Sequence, residues 1–223
     1  MKIALFYAMP AEIASLVGDA APMDEVAGVK FYHIRHDLIA CCGGVGKVNA
    51  AMAAQLCIDR FHPDLILNAG VAGCFEDVPI GTLVLAEGFM QHDFDTSAVD
   101  GPDALGLIAT VNRKVLPAAY QEKARAAMEA AGLPYRTGLV ATGDWFAVPG
   151  QRVDFIRDNF HPLLCEMEGC AVAQVCYRNG VKCMAIKSVS DCLVVKQDYF
   201  FNFPTAMAQL NEAVMAFLDH LEV

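Results

Sequence analysis

Short apolar runs alternate with segments of helical period along nearly the whole chain, and this alternation constrains the fold more than any other feature. KIALFYAM (residues 2–9) is ended by Pro10, which suits the first turn of a helix over about residues 11–16. KFYHIRH and LIACCGG read as paired strands turning at Asp37, and GKVNAAMAAQLCIDRF (46–61) has apolar residues at helical spacing after a glycine-rich turn. DLILNAGVAG (64–73) reads as a buried strand running into a small-residue turn, GTLVLAEGFMQHDFD (81–95) as a longer strand with a charged end, and DGPDALGL (100–107) as a loop. AAYQEKARAAMEAAG is an amphipathic helix stopped by Gly132, followed by the strand RTGLVATGD; QRVDFIRDNF is a short helix and PLLCEM a strand. GCAVAQVCYRNG is a helix closed by Gly180, KCMAIKSVSD a strand, and FPTAMAQLNEAVMAFLDHL (203–221) the final helix. Apolar strands alternating with helices imply an α/β fold with a largely parallel sheet covered on both faces.

A chain of 223 residues with no repeat or linker is expected to form one domain, residues 1–223, with a sizeable core. A net charge of −10, with Lys and Arg scattered singly, argues against nucleic acid or an anionic membrane as partner and favours a small solute. Nine cysteines, an odd number without a CxxC pair, sit in apolar segments and read as buried thiols in a reducing cytosol. The apolar start is too short for a signal sequence or membrane span, so a cytoplasmic location is expected. The mean hydropathy of +0.37 suits a strongly buried sheet and a subunit interface.

In such sheets ligands bind beyond the carboxyl ends of the strands. Residues gathered there are Met9 and Glu12, GGVGK (43–47), NAGVAG (68–73), HDFD (92–95), TGDWF (142–146), EME (166–168) and SVSD (188–191). Carboxylates recur, glycines admit a ligand close to the backbone, and cations are scarce. That combination suits a neutral or weakly basic polyhydroxylated ligand such as a nucleoside better than a phosphate.

Each element also has a plainer explanation. Glu12 would favour a helix N-terminus through the dipole, Asp191 would cap the segment after it, and Glu168 would cap the next helix. Trp145 and Phe146 would be core. GGVGK and NAGVAG would be tight turns, since neither matches a dinucleotide or phosphate-loop pattern. His92, Asp93 and Asp95 have no second histidine at ligand spacing, so no metal is expected. Glu166 is the residue such explanations leave over, because a buried carboxylate in a strand needs a partner.

Taken in order, AMPAE, GGVGKVNAA, NAGVAG, QHDFD, TGDWF, CEMEGCAVAQVCY and SVSD resemble the nucleoside phosphorylase/hydrolase superfamily, and within it the methylthioadenosine/S-adenosylhomocysteine nucleosidases. The resemblance implies a three-layer α/β/α sandwich around a mixed, partly barrel-like sheet, and a homodimer. It implies that Glu168 binds the ribose hydroxyls, with Met167 on the sugar face and Glu166 in support. Asp191 would be the general acid at purine N7, oriented by Ser190, and Glu12 would activate the attacking water. Phe146 would stack on the base and the Ala147 backbone would read its edge. Ala72 and Gly73 would line the base pocket, while Met9, Val45 and one of Phe200 or Phe201 would bound the sugar. Thr96 to Val99 of a partner subunit would close over the 5′ substituent. No cofactor is implied.

The implied reaction is the hydrolysis of 5′-methylthioadenosine and S-adenosylhomocysteine to release adenine. Phosphorylases of the superfamily hold phosphate with arginines in the loops after the first strand and near NAGVAG; here YAMPAEI and NAGVAGCF carry no Lys or Arg, so water is the expected nucleophile. Three positions depart from the nucleosidase pattern: Lys187 stands for an arginine, Val71 for a serine, and Val99 for an aromatic residue. Lys187 would hold water with Glu12 or neutralise it. The alternatives are an aminofutalosine-type hydrolase, a phosphorylase using Lys187 for the anion, and a nucleoside-binding module without activity.

Overall fold

The computed structural model describes residues 1–195 and 203–221. In chain order the elements are β1 (Ile3–Tyr7), α1 (Pro10–Val17), β2 (Asp24–Val26), β3 (Val29–Arg35), β4 (Leu38–Cys42), α2 (Lys47–Phe61), β5 (Leu65–Cys74) and β6 (Leu83–Gln91). There follow α3 (Ser97–Asp100), β7 (Leu116–Pro117), α4 (Gln121–Ala131), β8 (Tyr135–Thr142), α5 (Gln151–Phe160), β9 (Leu164–Glu166), α6 (Gly169–Asn179), β10 (Lys182–Cys192), α7 (Phe203–Met207) and α8 (Leu210–Leu221).

The strands form a mixed sheet rather than a largely parallel one. β5 pairs in parallel with β1 and β10, β1 with β4, and β8 with β6 and β9, whereas β10–β6, β5–β9 and β3–β4 are antiparallel. The pairings β5–β10–β6–β8–β9–β5 close on themselves, so five strands make a barrel and β1, β4, β3 and β2 extend it as an open wing. Closure removes the edges that two long apolar strands would otherwise expose. β1 is buried at every position because both its faces are covered. Phe6 points toward Ala53 of α2, and the next residue, Tyr7, points the other way and donates to Asn211 of α8 at 2.8 Å. α2 packs on α6 in one layer and α4 on α8 in the other.

Two local readings are corrected, and three short elements are added. NAGVAG is not a turn: β5 runs unbroken through Cys74, because its small residues pair with β10 from Ile186 to Cys192 and let neighbouring side chains come close. The final helix is two, α7 and α8, separated by Ala208 and Gln209. Short β2 and β7 and the one-turn α3 carry too few residues to show a period. All nine cysteines are free, and all but Cys42 are buried. Among the described residues no helix is long and apolar enough to cross a membrane.

Candidate active site

The carboxyl ends of β1, β5, β8, β9 and β10 converge on one cleft. Its lining includes Met9, Glu12, Val45, Ala72, Gly73, Phe146, Ala147, Glu166, Met167, Glu168, Ser190 and Asp191, which brings together every described residue named from the sequence for one protomer's site. Ala8, Val71, Trp145 and Cys165 complete the wall. Phe200 and Phe201 lie outside the described residues. Thr96 to Val99 do not line this cleft; Val99 is 88% exposed on α3. The described residues hold no group of three or more His, Cys, Asp or Glu arranged for a metal ion.

Glu12 is fixed from three sides. Pro10 starts α1, and two residues later the Glu12 carboxylate turns back over the helix start, where Oε2 accepts from Ala8 N at 3.1 Å and Met9 N at 3.0 Å. Oε1 accepts from Val71 N at 3.0 Å on β5. This close approach requires Gly70: a Cβ there would lie 2.5 Å from Glu12 Oε1. Glu12 thus sits at the helix N-terminus, as the plainer explanation had it, and closes that end by accepting from the Met9 amide while facing the cleft as well.

Glu166, the carboxylate without an evident partner, has several. Its Oε2 lies 3.2 Å from Lys187 Nζ, both oxygens accept from Gly169 N at the start of α6, and Oε1 accepts from Thr142 Oγ1. Lys187, which does not line the cleft, is thus paired with Glu166 in its wall and does not reach Glu12 by a hydrogen bond. Glu168, two residues on, accepts from Gly46 N at 2.8 Å through Oε1, leaving Oε2 for a ligand. Ser190 Oγ donates to Asp191 Oδ1 at 2.7 Å and lies 3.3 Å from Ala72 O.

Burial dominates the electrostatics. It raises the Glu12 carboxyl, opposed by the charge of Lys187 and by the amides of Val71, Met9 and Ala8. Burial and then the adjacent Glu166 push Glu168 up to about 7. Asp191 is raised by burial against the lowering effect of the Ser190 hydroxyl. Burial pulls Lys187 down, yet the joint field of Glu166, Glu168 and Glu12 lifts it above its ordinary value, so it stays charged. The cleft therefore holds a raised aspartic acid that can donate a proton, a carboxylate caged by amides, and a third carboxylate with a free oxygen. Among the described residues its lining has no Lys or Arg.

The sequence reading assigned no role to Lys47, Asp93 or Asp144. Lys47 Nζ meets Asp93 Oδ1 at 2.6 Å and Gln91 Oε1 at 3.1 Å; Asp144 N donates to Asp93 Oδ2 at 2.8 Å and Lys47 N to Asp144 Oδ1 at 2.7 Å. One lysine among strand ends rich in carboxylates was the available signal. Thr142, whose hydroxyl supports Glu166 and accepts from Cys170 N, had no signal beyond its place before Gly143.

A family model described as "Phosphorylase superfamily" matches residues 2–221. The chain belongs to that superfamily. It groups there with the 5′-methylthioadenosine/S-adenosylhomocysteine nucleosidases: one so named from Geobacillus thermodenitrificans is 37% identical over 98% of this chain and 96% of its own length. Among solved structures, a nucleosidase of that name from Colwellia psychrerythraea, in complex with adenine, superposes with a TM-score of 0.87 at 28% identity, covering 99% of this chain and 96% of the other. A futalosine hydrolase mutant of Helicobacter pylori superposes with a TM-score of 0.88 at 26% identity, covering 98% and 99%. The superfamily fold, a mixed sheet with a closed five-strand barrel between helices, is the one described above.

Proposed function

We propose that the protein is an N-glycosidase that hydrolyses 5′-methylthioadenosine and S-adenosylhomocysteine to adenine and the corresponding 5-thioribose. The observation that carries this reading is the convergence of Glu12, Glu168 and Asp191 in one cleft whose described lining has no cation, in a chain 37% identical to a nucleosidase of that name.

Breaking the N-glycosidic bond builds positive charge on the sugar and negative charge on the leaving purine. Asp191, whose carboxyl burial raises toward the protonated form, gives its proton to N7 of the purine and lets adenine leave as a neutral base. Glu168 accepts hydrogen bonds from the ribose 2′ and 3′ hydroxyls through its free Oε2 while its negative charge stabilises the oxocarbenium. Glu12 takes a proton from water as the oxygen bonds to C1′. Met9, Val45 and Met167 bound the sugar; Phe146 stacks on the base, Ala147 meets its edge, and Ala72 and Gly73 line its pocket. The exposure of Val99 on α3 leaves the segment from Thr96 to Val99 able to close a second protomer's 5′ pocket, which supports a homodimer of single-domain chains as the working unit, and nine free thiols support a cytoplasmic setting.

The likeness to a futalosine hydrolase favours one second reading, an aminofutalosine-type substrate in the same cleft. The test is a panel of purine nucleosides assayed for free base with and without phosphate. Phosphate-independent release of adenine from methylthioadenosine is expected; strict dependence on phosphate would overturn the hydrolase reading, and preference for a 6-oxopurine nucleoside would overturn the substrate.

A further inference from the structure

Three strand-end loops are tied to one another outside the cleft wall. The first residue of α2 supplies Lys47, the segment after β6 supplies Asp93, and the segment after β8 supplies Asp144. Their bonds form a ring: Lys47 N to Asp144 Oδ1, Asp144 N to Asp93 Oδ2, and Lys47 Nζ to Asp93 Oδ1. Gly46, the residue before Lys47, donates to Glu168, and Trp145 and Phe146, directly after Asp144, line the cleft. Gln91 joins the ring to α6, accepting from Lys47 Nζ at 3.1 Å and donating to Gln174 at 2.8 Å. The ring therefore spans the two lips of the cleft, the one that holds Glu168 and the one that carries the aromatic wall.

We propose that Lys47, Asp93 and Asp144 are positioning residues for nucleoside binding, with Asp93 as the joint that admits no neutral replacement. This rests on the nucleosidase reading above and adds to it the groups that set the spacing between the ribose and base contacts. Hydrogen-bond accounting separates the two aspartates. Asp93 accepts with both side-chain oxygens from two donors, so an asparagine there turns an NH₂ group against a donor whichever way it faces. Among the described residues Asp144 accepts with Oδ1 alone, through the Lys47 amide, and an asparagine keeps that oxygen.

The experiment compares D93N, D144A and D144N with the unaltered protein. Affinity is read by calorimetry with 5′-methylthiotubercidin, which lacks the N7 atom that must be protonated, and KM and kcat are read from adenine release. Expected are a weakening of roughly tenfold or more for D93N and D144A, carried by KM and not kcat, and rescue by D144N. The acid limb of nucleoside binding in D93N moves to higher pH, because Glu168 loses the Gly46 amide while Glu166, Lys187 and Glu12 still face it. Removing the Asp93 charge would by itself move that limb the other way, so the direction identifies the lost amide. Binding by D93N at the unaltered affinity, D144N as damaged as D144A, or equal losses in KM and kcat without a pH shift would each overturn the clamp. Tight binding of the analogue without adenine release by the unaltered protein would sink the hydrolase reading instead, and the calorimetric comparison would still decide the clamp.

Discussion

Lys187 and Glu166 form a 3.2 Å ion pair whose side chains are only 3% and 2% exposed. The pair bridges β10 and β9, and Glu166 also receives the Gly169 amide and the Thr142 hydroxyl. The buried cation is thereby committed to the Glu166 carboxylate, and Lys187 itself does not line the cleft. A phosphate dianion entering the cleft would meet Glu12 and Glu168 and, among the described residues, no lining cation to hold it, which is a physical ground for water as the nucleophile.

Removing one member of that pair leaves a buried charge without its partner. Lys187→Met should destabilise the protein by about 3–5 kcal/mol, and the double change with Glu166→Gln should recover a substantial part of the loss. Denaturant unfolding of the two variants at neutral pH measures both numbers. A single variant as stable as the parent would mean that Glu166 finds enough support in its amide and hydroxyl donors alone.

Glu168, raised to about 7, should write its titration into substrate affinity. The ionised form accepts the ribose hydroxyls, so nucleoside affinity rises as pH passes upward through about 7 and falls below it. Unliganded stability runs the opposite way: because the folded pKa lies above the unfolded one, the protonated Glu168 favours folding at acid pH, and this contribution is lost as pH rises through about 7. Glu168→Gln should lower kcat/KM by about 10²-fold or more and abolish both dependences. Profiles of KM and of melting temperature from pH 5 to 9 test this; an unshifted acid limb in the variant would assign it to another group, with Glu12 the nearest candidate.

Asp191 and Ser190 give a second, separable pH effect. Asp191→Asn should lower kcat by about 10²–10⁴-fold with a smaller change in KM, since a proton donor acts in the transition state. The Ser190 hydroxyl lowers the Asp191 pKa against the larger effect of burial. Ser190→Ala should therefore raise it further and move the alkaline limb of kcat to higher pH, while kcat itself falls as the carboxyl loses its orientation. A limb moving to lower pH would show that the alkaline titration is not that of Asp191.

Much of this site was legible because its residues sit at strand ends, and strand ends can be counted from apolar runs. Met9, Glu12, Glu168 and Asp191 each follow such a run, and the cleft unites them. Pairing direction was less legible: β6 and β9 are as apolar as the parallel strands, so nothing in their patterning announces that β10–β6 and β5–β9 run antiparallel and close a barrel. NAGVAG was misread as a turn because small residues favour both turns and close packing, and only the partner strand decides between them. The partner of Glu166 was hidden for a similar reason. Lys187 lies 21 residues away in sequence, on β10, which the closed barrel sets on the other side of β5 from β9. Lys47, Asp93 and Asp144 are charged residues in loops, where solvation is the ordinary expectation until a distance is known.

Gly70 offers the most local test of the role of Glu12. The Glu12 carboxylate occupies the space a side chain at position 70 would need, since a Cβ there would lie 2.5 Å from Oε1, and Val71 N holds the same oxygen from the next residue. Gly70→Ala must therefore push the carboxylate out of its three-amide cage or open the strand beside it. The cage opposes the raised pKa, so a displaced Glu12 is protonated more readily and is also misdirected at its water. An error of about 1 Å in such a group lowers turnover by about 10²-fold. We expect kcat for adenine release to fall by that order, with the affinity for adenine itself nearly unchanged, because the base contacts at Phe146, Ala147 and Asp191 lie elsewhere in the cleft. Adenine binding and single-turnover hydrolysis measured on the same preparation separate the two effects. Full turnover in Gly70→Ala would mean that the carboxylate needs no such cage, and Glu12 would lose its place as the group that activates water.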